Sequence, residues 1–384
     1  MSHKLFAWLA STIALEMKRL LLVPLLALVA CAPASGTARA PLEPFVERKI
    51  DPIKDQAAHR APVEWWYLNG HLQTKDGEKG IAGAIFQVLL PENTPYNLAQ
   101  LFPDPLYFGH FGVVNKRTGE FASAELSALP RAKPEIATAI GSASTERMDV
   151  RLGNWRMTRE ADGVYTAKFD LRGKSAVDLR MRPTRPEAIH GPGWSGTSIT
   201  GRMYYYSATR LEVTGTYDGS PVTGIAWLDH QWGGGDGDGS ASLTPRWDWF
   251  AMNLEDGRDV MVYRVRNAQE GIEDQFASIT YPDGRVAEDR NFTMQPWQWW
   301  TSPKSGGRYP INWWVKLSDG TSLTVRAVTP DQEVESKATA GFNYYEGAVT
   351  IGGSVKGVGY AELTGYGAVG QNPFTNPFAA FGNR

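Results

Sequence analysis

Five short strings in this chain set an ionisable side chain among large rings: Glu-Trp-Trp-Tyr (64–67), Met-Tyr-Tyr-Tyr-Ser-Ala-Thr-Arg-Leu (203–211), Trp-Leu-Asp-His-Gln-Trp (227–232), Trp-Asp-Trp-Phe (247–250) and Tyr-Tyr-Glu-Gly-Ala-Val (344–349). On a strand, alternate residues share a face. Trp227 and Asp229 therefore stand on one side, with His230 and Trp232 on the other, and Trp247 and Trp249 oppose Asp248. Asp229 and Asp248 are the acids expected to point into the interior. Burial disfavours a carboxylate, so its pKa rises unless a cation or hydrogen-bond donors compensate. A carboxylic acid raised in this way is a proton donor at neutral pH. Aromatic faces beside it stabilise a developing carbocation. Acid and rings together suit protonation of an unactivated C=C bond, with water adding to the cation. The plainer alternative is a structural aspartate paired with Arg210 or His230, its rings filling a core. The strings leave both open.

The candidate acids are thus Asp229 and Asp248. Glu64, Trp65, Trp66, His110, Tyr205 and Arg210 are candidates to contact a ligand, as are Trp227, His230, Trp232, Trp249 and Glu346. Other chemistries find less support. His59, His71, His110, His190 and His230 include no pair at helical i, i+4 spacing, and Cys31 is the one cysteine, so no metal site is expected. The run Gly-Gly-Gly-Asp-Gly-Asp-Gly (233–239) lacks the downstream glutamate of an EF-hand loop. Gly193-Trp194-Ser195-Gly196 misses the G-x-S-x-G nucleophile elbow by one residue and reads as a β-turn. A net charge of −2 gives no electrostatic case for nucleic acid. No motif calls for an organic cofactor.

Strands must position these groups. Asp-Gly recurs at 76–77, 162–163, 218–219, 256–257, 283–284 and 319–320, each time between β-rich runs, which is the strongest short hairpin signal. Residues 313–328 and 164–182 alternate apolar and polar on both sides of a turn. Helical patterns are scarce, 122–132 being the best candidate. Up-and-down antiparallel β, as a barrel or curved sandwich, is the expected class. A faint repeat joins residues 64–77, 247–257 and 312–320: an aromatic cluster, a leucine and an Asp-Gly turn. It argues for two related β-domains, 50–240 and 241–366, followed by a tail at 367–384.

The N-terminus carries a different message. Residues 17–31, MKRLLLVPLLALVAC, pair a basic start with an apolar run too short to span a bilayer, and end in Leu-Val-Ala-Cys, which resembles a bacterial lipobox. Met17 opens a second candidate start. The expectation is a lipoprotein signal at 1–30, lipidation at Cys31 and a tether over 31–49. Anchoring would be on the periplasmic side of a bacterial membrane, with Ala32 favouring the outer one.

The strings H-x-x-P-x-E-W-W-Y (59–67), Y-Y-S-x-T-R-L (205–211), W-x-D-H-x-W-G (227–233), W-D-W-F (247–250) and Y-Y-E-G-A-V with G-x-G-Y-x-E-L-T-G-Y (344–349, 357–366), taken together and in this order, resemble the lipocalin-like family of AttH-type proteins and carotenoid 1,2-hydratases. The resemblance implies an all-β chain of two lipocalin-like antiparallel β-barrels in tandem. It implies one of two functions. One family branch hydrates the terminal double bond of acyclic carotenoids without a cofactor, an aspartic acid protonating the alkene. The other comprises secreted proteins often encoded beside ABC-transporter permeases. Asp229 is the position matched to the family acid, with Asp248 second. The lipoprotein signal favours the secreted branch: an anchored protein that binds an apolar, isoprenoid- or lipid-like ligand, with an ABC-type permease as candidate partner. The hydratase is the alternative.

Overall fold

In Val177–Pro183 the residues Val177, Leu179 and Met181 are buried while Asp178, Arg180 and Arg182 are exposed, so the alternation written in the sequence becomes the two faces of a strand. The computed structural model describes residues 41–89, 105–128, 137–138, 140–196, 201–234, 246–266 and 271–367. The expected signal, Cys31, most of the glycine-rich stretch (235–245) and nearly all of the tail (368–384) lie outside the described residues.

The first sheet contains β1 (Val63–Thr74), β2 (Gly77–Val88), β3 (Leu106–Asn115), β4 (Phe121–Ser127), β5 (Ala137–Thr138), β6 (Gly141–Ala143), β7 (Asp149–Leu152), β8 (Trp155–Arg159), β9 (Tyr165–Phe169), β10 (Val177–Pro183), β11 (Ala188–Ser195), β12 (Met203–Tyr217) and β13 (Ser220–Gly233). The second contains β14 (Arg246–Leu254), β15 (Asp259–Arg266), β16 (Ile272–Thr280), β17 (Val286–Asp289), β18 (Thr293–Thr301), β19 (Arg308–Lys316), β20 (Ser322–Ala327), β21 (Glu333–Val334), β22 (Tyr344–Gly353) and β23 (Gly357–Leu363). In each, the first strand pairs with the last, β1 with β13 and β14 with β23, so each sheet curls back on its own start. The result is an all-β architecture of two barrel-like antiparallel sheets, β4–β5 being a short parallel exception. The strands beginning the first two repeats, β1 and β14, hold equivalent places in the two sheets. One sheet ends at Gly233 and the next begins at Arg246, although Pro41–Arg384 group as one unit.

The hairpin glycines Gly77, Gly163, Gly219, Gly257, Gly284 and Gly320 all have positive φ. Between β12 and β13, Asp218 (φ 46°) and Gly219 (φ 74°) form a two-residue turn of the type whose twist matches the strands it joins. One expectation is corrected. The helix candidate at 122–132 contributes β4 instead, because Ala124 and Leu126 fill barrel-side positions along β3. Within the described part of the expected tether (41–49), Phe45 stacks on Tyr204 at 4.9 Å, and Val46 N–H bonds Tyr204 Oη at 3.1 Å.

Large side chains pack inside each barrel. The first is filled by Trp66, Leu68, Phe111, Trp155 and Phe169, the second by Phe250, Tyr309, Trp313 and Tyr345. A third cluster draws from both sheets, with Tyr67, Tyr205 and Trp227 meeting Trp249, Met261 and Tyr360. It forms the seam between the barrels. Each large apolar side chain buried there contributes about 1.5–3 kcal/mol.

Candidate active site

A cavity of about 170 Å³ opens in this seam. Its walls follow the period of two. Trp65 and Tyr67 come from β1, Tyr205 from β12, Asp229 and Gln231 from β13. Opposite them stand Trp247 and Trp249 from β14, Glu346 from β22 and Glu362 from β23. Register aligns them in rows. Tyr67 and Ser207 each lie directly opposite Asp229, Trp249 opposite Glu362, and Glu362 opposite Glu346. Phe86, Phe108 and Tyr344 complete an aromatic wall.

Three carboxyls therefore face one apolar space. Asp229, 4% exposed, accepts hydrogen bonds from Trp227 Nε1 (2.5 Å), Tyr205 Oη (2.9 Å) and the Ser207 hydroxyl. Among the described residues no cation touches it. Burial pushes its pKa up to about 7, against the downward pull of those donors. Glu362 accepts from Trp247 Nε1 at 2.8 Å and is likewise pushed up by burial to about 7. Glu346 accepts from Tyr67 Oη at 2.6 Å, and its Oε2 has no partner. Burial, then repulsion from Glu362, holds Glu346 well above the carboxylate range. At neutral pH this is a cavity of protonated or half-protonated acids surrounded by rings.

The supporting contacts tie the barrels together. Trp249 Nε1 donates to Tyr205 Oη at 3.0 Å across the seam, fixing the phenol that donates to Asp229. His190 Nε2 lies 2.6 Å from Ser207 Oγ, and its ring packs 4.3 Å from Tyr205. Burial pushes His190 down to about 3, so it is neutral. The chain Asp229–Ser207–His190 is a hydrogen-bonded line leading away from the cavity. His110, also pushed by burial down to about 3, bonds Tyr344 Oη (3.1 Å) and Thr339 Oγ1 (2.7 Å).

Of the sequence candidates, the seam gathers Asp229, Trp65, His110, Tyr205, Trp249 and Glu346 around the cavity, with Trp227 behind Asp229. The others stand elsewhere. Asp248 lies on the opposite face of β14, bonded by Tyr366 Oη (2.6 Å) and paired with Arg266 (3.3 Å), so it does not reach the cavity. Arg210 pairs with Asp259 at 2.6 Å rather than with Asp229. His230 points away from Asp229, as the strand period requires, and its Nε2 meets Glu64 Oε1 at 2.7 Å. Glu64 also accepts from His59 Nδ1 at 2.9 Å, Trp232 stacks on His59 at 4.1 Å, and Trp66 stacks on His230 at 5.2 Å. Although burial works the other way, the bonds from His230 and His59 hold Glu64 below its usual pKa. The nitrogen and oxygen atoms of His59, Glu64 and His230 lie within 4.8 Å of one another, and those spacings are taken up by hydrogen bonds among the three.

Sequence reasoning missed Tyr67, Ser207, His190 and Glu362. Tyr67 was within reach, being two residues from Trp65 and so on its face. Glu362 lies in the G-x-G-Y-x-E string but shows its role only once β22 and β23 pair.

Fold and site together define a two-barrel, lipocalin-like β-protein with an acid-lined seam. The AttH-like family model matches residues 46–366, and the chain belongs to that family. A crystal structure of a candidate AttH protein from Nitrosomonas europaea is similar at 29% identity and a TM-score of 0.69, covering 85% of this chain and 100% of that one. Kievitone hydratase from Nectria haematococca shares the fold at 16% identity and a TM-score of 0.59, covering 85% and 98%. No curated protein matches the chain.

Proposed function

We propose that this protein adds water across a carbon–carbon double bond of an apolar, isoprenoid-like molecule held between its barrels. Asp229 is the acid. The observation that carries this reading is a carboxyl poised at about 7, with no cation beside it among the described residues, facing an aromatic cavity. The Asp229 proton forms a new C–H bond with the alkene π electrons, leaving a carbocation on the neighbouring carbon. Ring faces such as those of Trp65 and Trp249, together with the new carboxylate, stabilise that charge; a desolvated cation–π contact contributes about 2 kcal/mol. Water bonds to the cation and its surplus proton returns to the cavity carboxylates, so the acid is regenerated and no electrons are exchanged. That kievitone hydratase shares this fold is consistent with such chemistry, but the reaction class is argued from the site.

The lipobox-like residues 28–31 favour a second reading, in which an exported, lipid-anchored protein on the periplasmic side holds an apolar ligand for an ABC-type permease. Both readings use the cavity; they part at Asp229. Incubating the protein with squalene or an acyclic carotenoid in ¹⁸O-water should yield a labelled alcohol. Asp229→Asn should lower that yield by about 10²–10⁴-fold, the usual worth of a general acid. An Asp229→Asn variant with full turnover removes Asp229 as the acid, and ligand retention without any labelled product favours the holder.

A further inference from the structure

Nothing in the cavity wall balances its acids. Among the described residues that line it there is no lysine or arginine, and His110 is neutral. Glu346 and Glu362 face each other across adjacent strands, with Asp229 on the opposing sheet. Glu346 Oε2 is buried in this space without a hydrogen-bond partner, although the residue is only 3% exposed. A buried carboxyl oxygen without a partner is costly unless something meets it. The rings of Trp65, Phe86, Phe108, Trp249 and Tyr344 surround the same space and present faces that attract cations.

We propose that the seam cavity is a binding site for an organic cation, an ammonium carrying apolar substituents, whose entry ionises Glu346 so that its carboxylate becomes the counter-ion, with the aromatic wall as its cage. The inference rests on the cavity being the ligand site, as in the function proposed above. It adds the charge of the ligand class: an ammonium of suitable shape reproduces the positive charge that alkene protonation creates, so tertiary and quaternary amines should occupy the site and block it.

Glu346 is protonated in the free cavity and releases its proton as the cation enters, while Asp229 and Glu362 ionise at about 7, so binding should strengthen as pH rises. The titratable groups facing this space are Asp229 on β13, Glu346 on β22, Glu362 on β23 and His110 on β3, with the phenols Tyr67, Tyr205, Tyr263 and Tyr344. The phenols are raised by burial and stay neutral, so the carboxyls alone change charge across the working range.

The test compares two compounds of one shape: (4-hydroxymethylphenyl)trimethylammonium and 4-tert-butylbenzyl alcohol, in which carbon replaces the charged nitrogen. Titration calorimetry on the whole protein at pH of about 8 should show the cation binding at least about tenfold tighter, and at pH of about 5.5 that preference should shrink towards one as the carboxyls take up protons. Glu346→Gln should abolish most of the preference at the higher pH while leaving the neutral compound's affinity within about twofold, since the shape is kept. Equal affinities for the two compounds, a preference unaltered in Glu346→Gln, or no binding by either would overturn the proposal. These outcomes separate from the hydration test. A protein that hydrates alkenes yet shows no cation preference sinks this inference alone; one that prefers the cation without hydrating anything sinks the enzyme reading alone.

Discussion

Asp259 and Asp229 are both buried in the seam between the barrels, at 0% and 4% exposure, yet among the described residues only Asp259 meets a cation. Asp259 receives Arg210 at 2.6 Å, Arg185 at 3.3 Å, Thr209 Oγ1 at 2.9 Å and Asn253 Nδ2 at 2.7 Å. Arg210 belongs to β12 and Asp259 to β15, so this group clamps one barrel to the other. Asp229 has three neutral donors and two other carboxyls across the cavity. Burial alone does not decide what an acid does; its partners do. With guanidiniums an aspartate is a fastener. Without them it keeps its proton up to neutral pH, the state a proton donor requires.

The contrast breaks most visibly at the clamp. Asp259→Ala leaves Arg210 and Arg185 without their carboxylate and should destabilise the protein by about 3–5 kcal/mol, seen as a lower urea midpoint. A loss under about 1 kcal/mol would mean that the clamp is no more than a surface pair.

Asp229 should behave in the opposite sense. An unfolded chain releases this proton near pH of about 3.9, whereas the folded protein keeps it until about 7. Stability should therefore fall as pH rises from about 4 to about 7 and level off beyond, with each such proton contributing a slope of up to about 1.4 kcal/mol per pH unit. Asp229→Asn should flatten that slope and leave the fold as stable as wild type, or more so, at pH of about 8. A steeper slope in the variant would contradict the assignment.

Ser207→Ala sharpens the comparison by one hydrogen bond. A bond to a charged group is worth about 1.5–3 kcal/mol, so losing this donor should move the Asp229 midpoint upward by about one unit. A downward move would show that Ser207 donates to His190 and not to Asp229. The smallest effect is expected at Asp248→Asn, on the far face of β14, which should leave the Asp229 midpoint within about 0.3 units because the two acids share no partner.

Much of this was legible in the sequence where a rule is local. The Asp-Gly turns, the alternation of Val177–Pro183 and the opposite facing of Asp229 and His230 all follow from neighbours in the chain. The repeat at residues 64–77 and 247–257 marks strands in equivalent places. What stayed hidden depends on contacts far apart in sequence. Asp248 resembled Asp229 in composition, and only the pairing with Arg266 and Tyr366 separates them. Glu362 becomes an active-site candidate because β23 closes on β14 and β22, a pairing no short string encodes. His230 was grouped with its neighbour, but its partner Glu64 lies 166 residues away.

The central claim is that Asp229 is a carboxylic acid, not a carboxylate, in the folded protein near neutral pH. Infrared difference spectra between wild type and Asp229→Asn, recorded across pH, test it directly through the C=O stretch of a protonated acid. The account predicts a band present in wild type at pH of about 6, missing from the variant, and fading with a midpoint at about 7. A wild-type protein in which that band has already gone by pH of about 5 would contradict it, and would make Asp229 an ordinary buried anion held by Trp227, Tyr205 and Ser207.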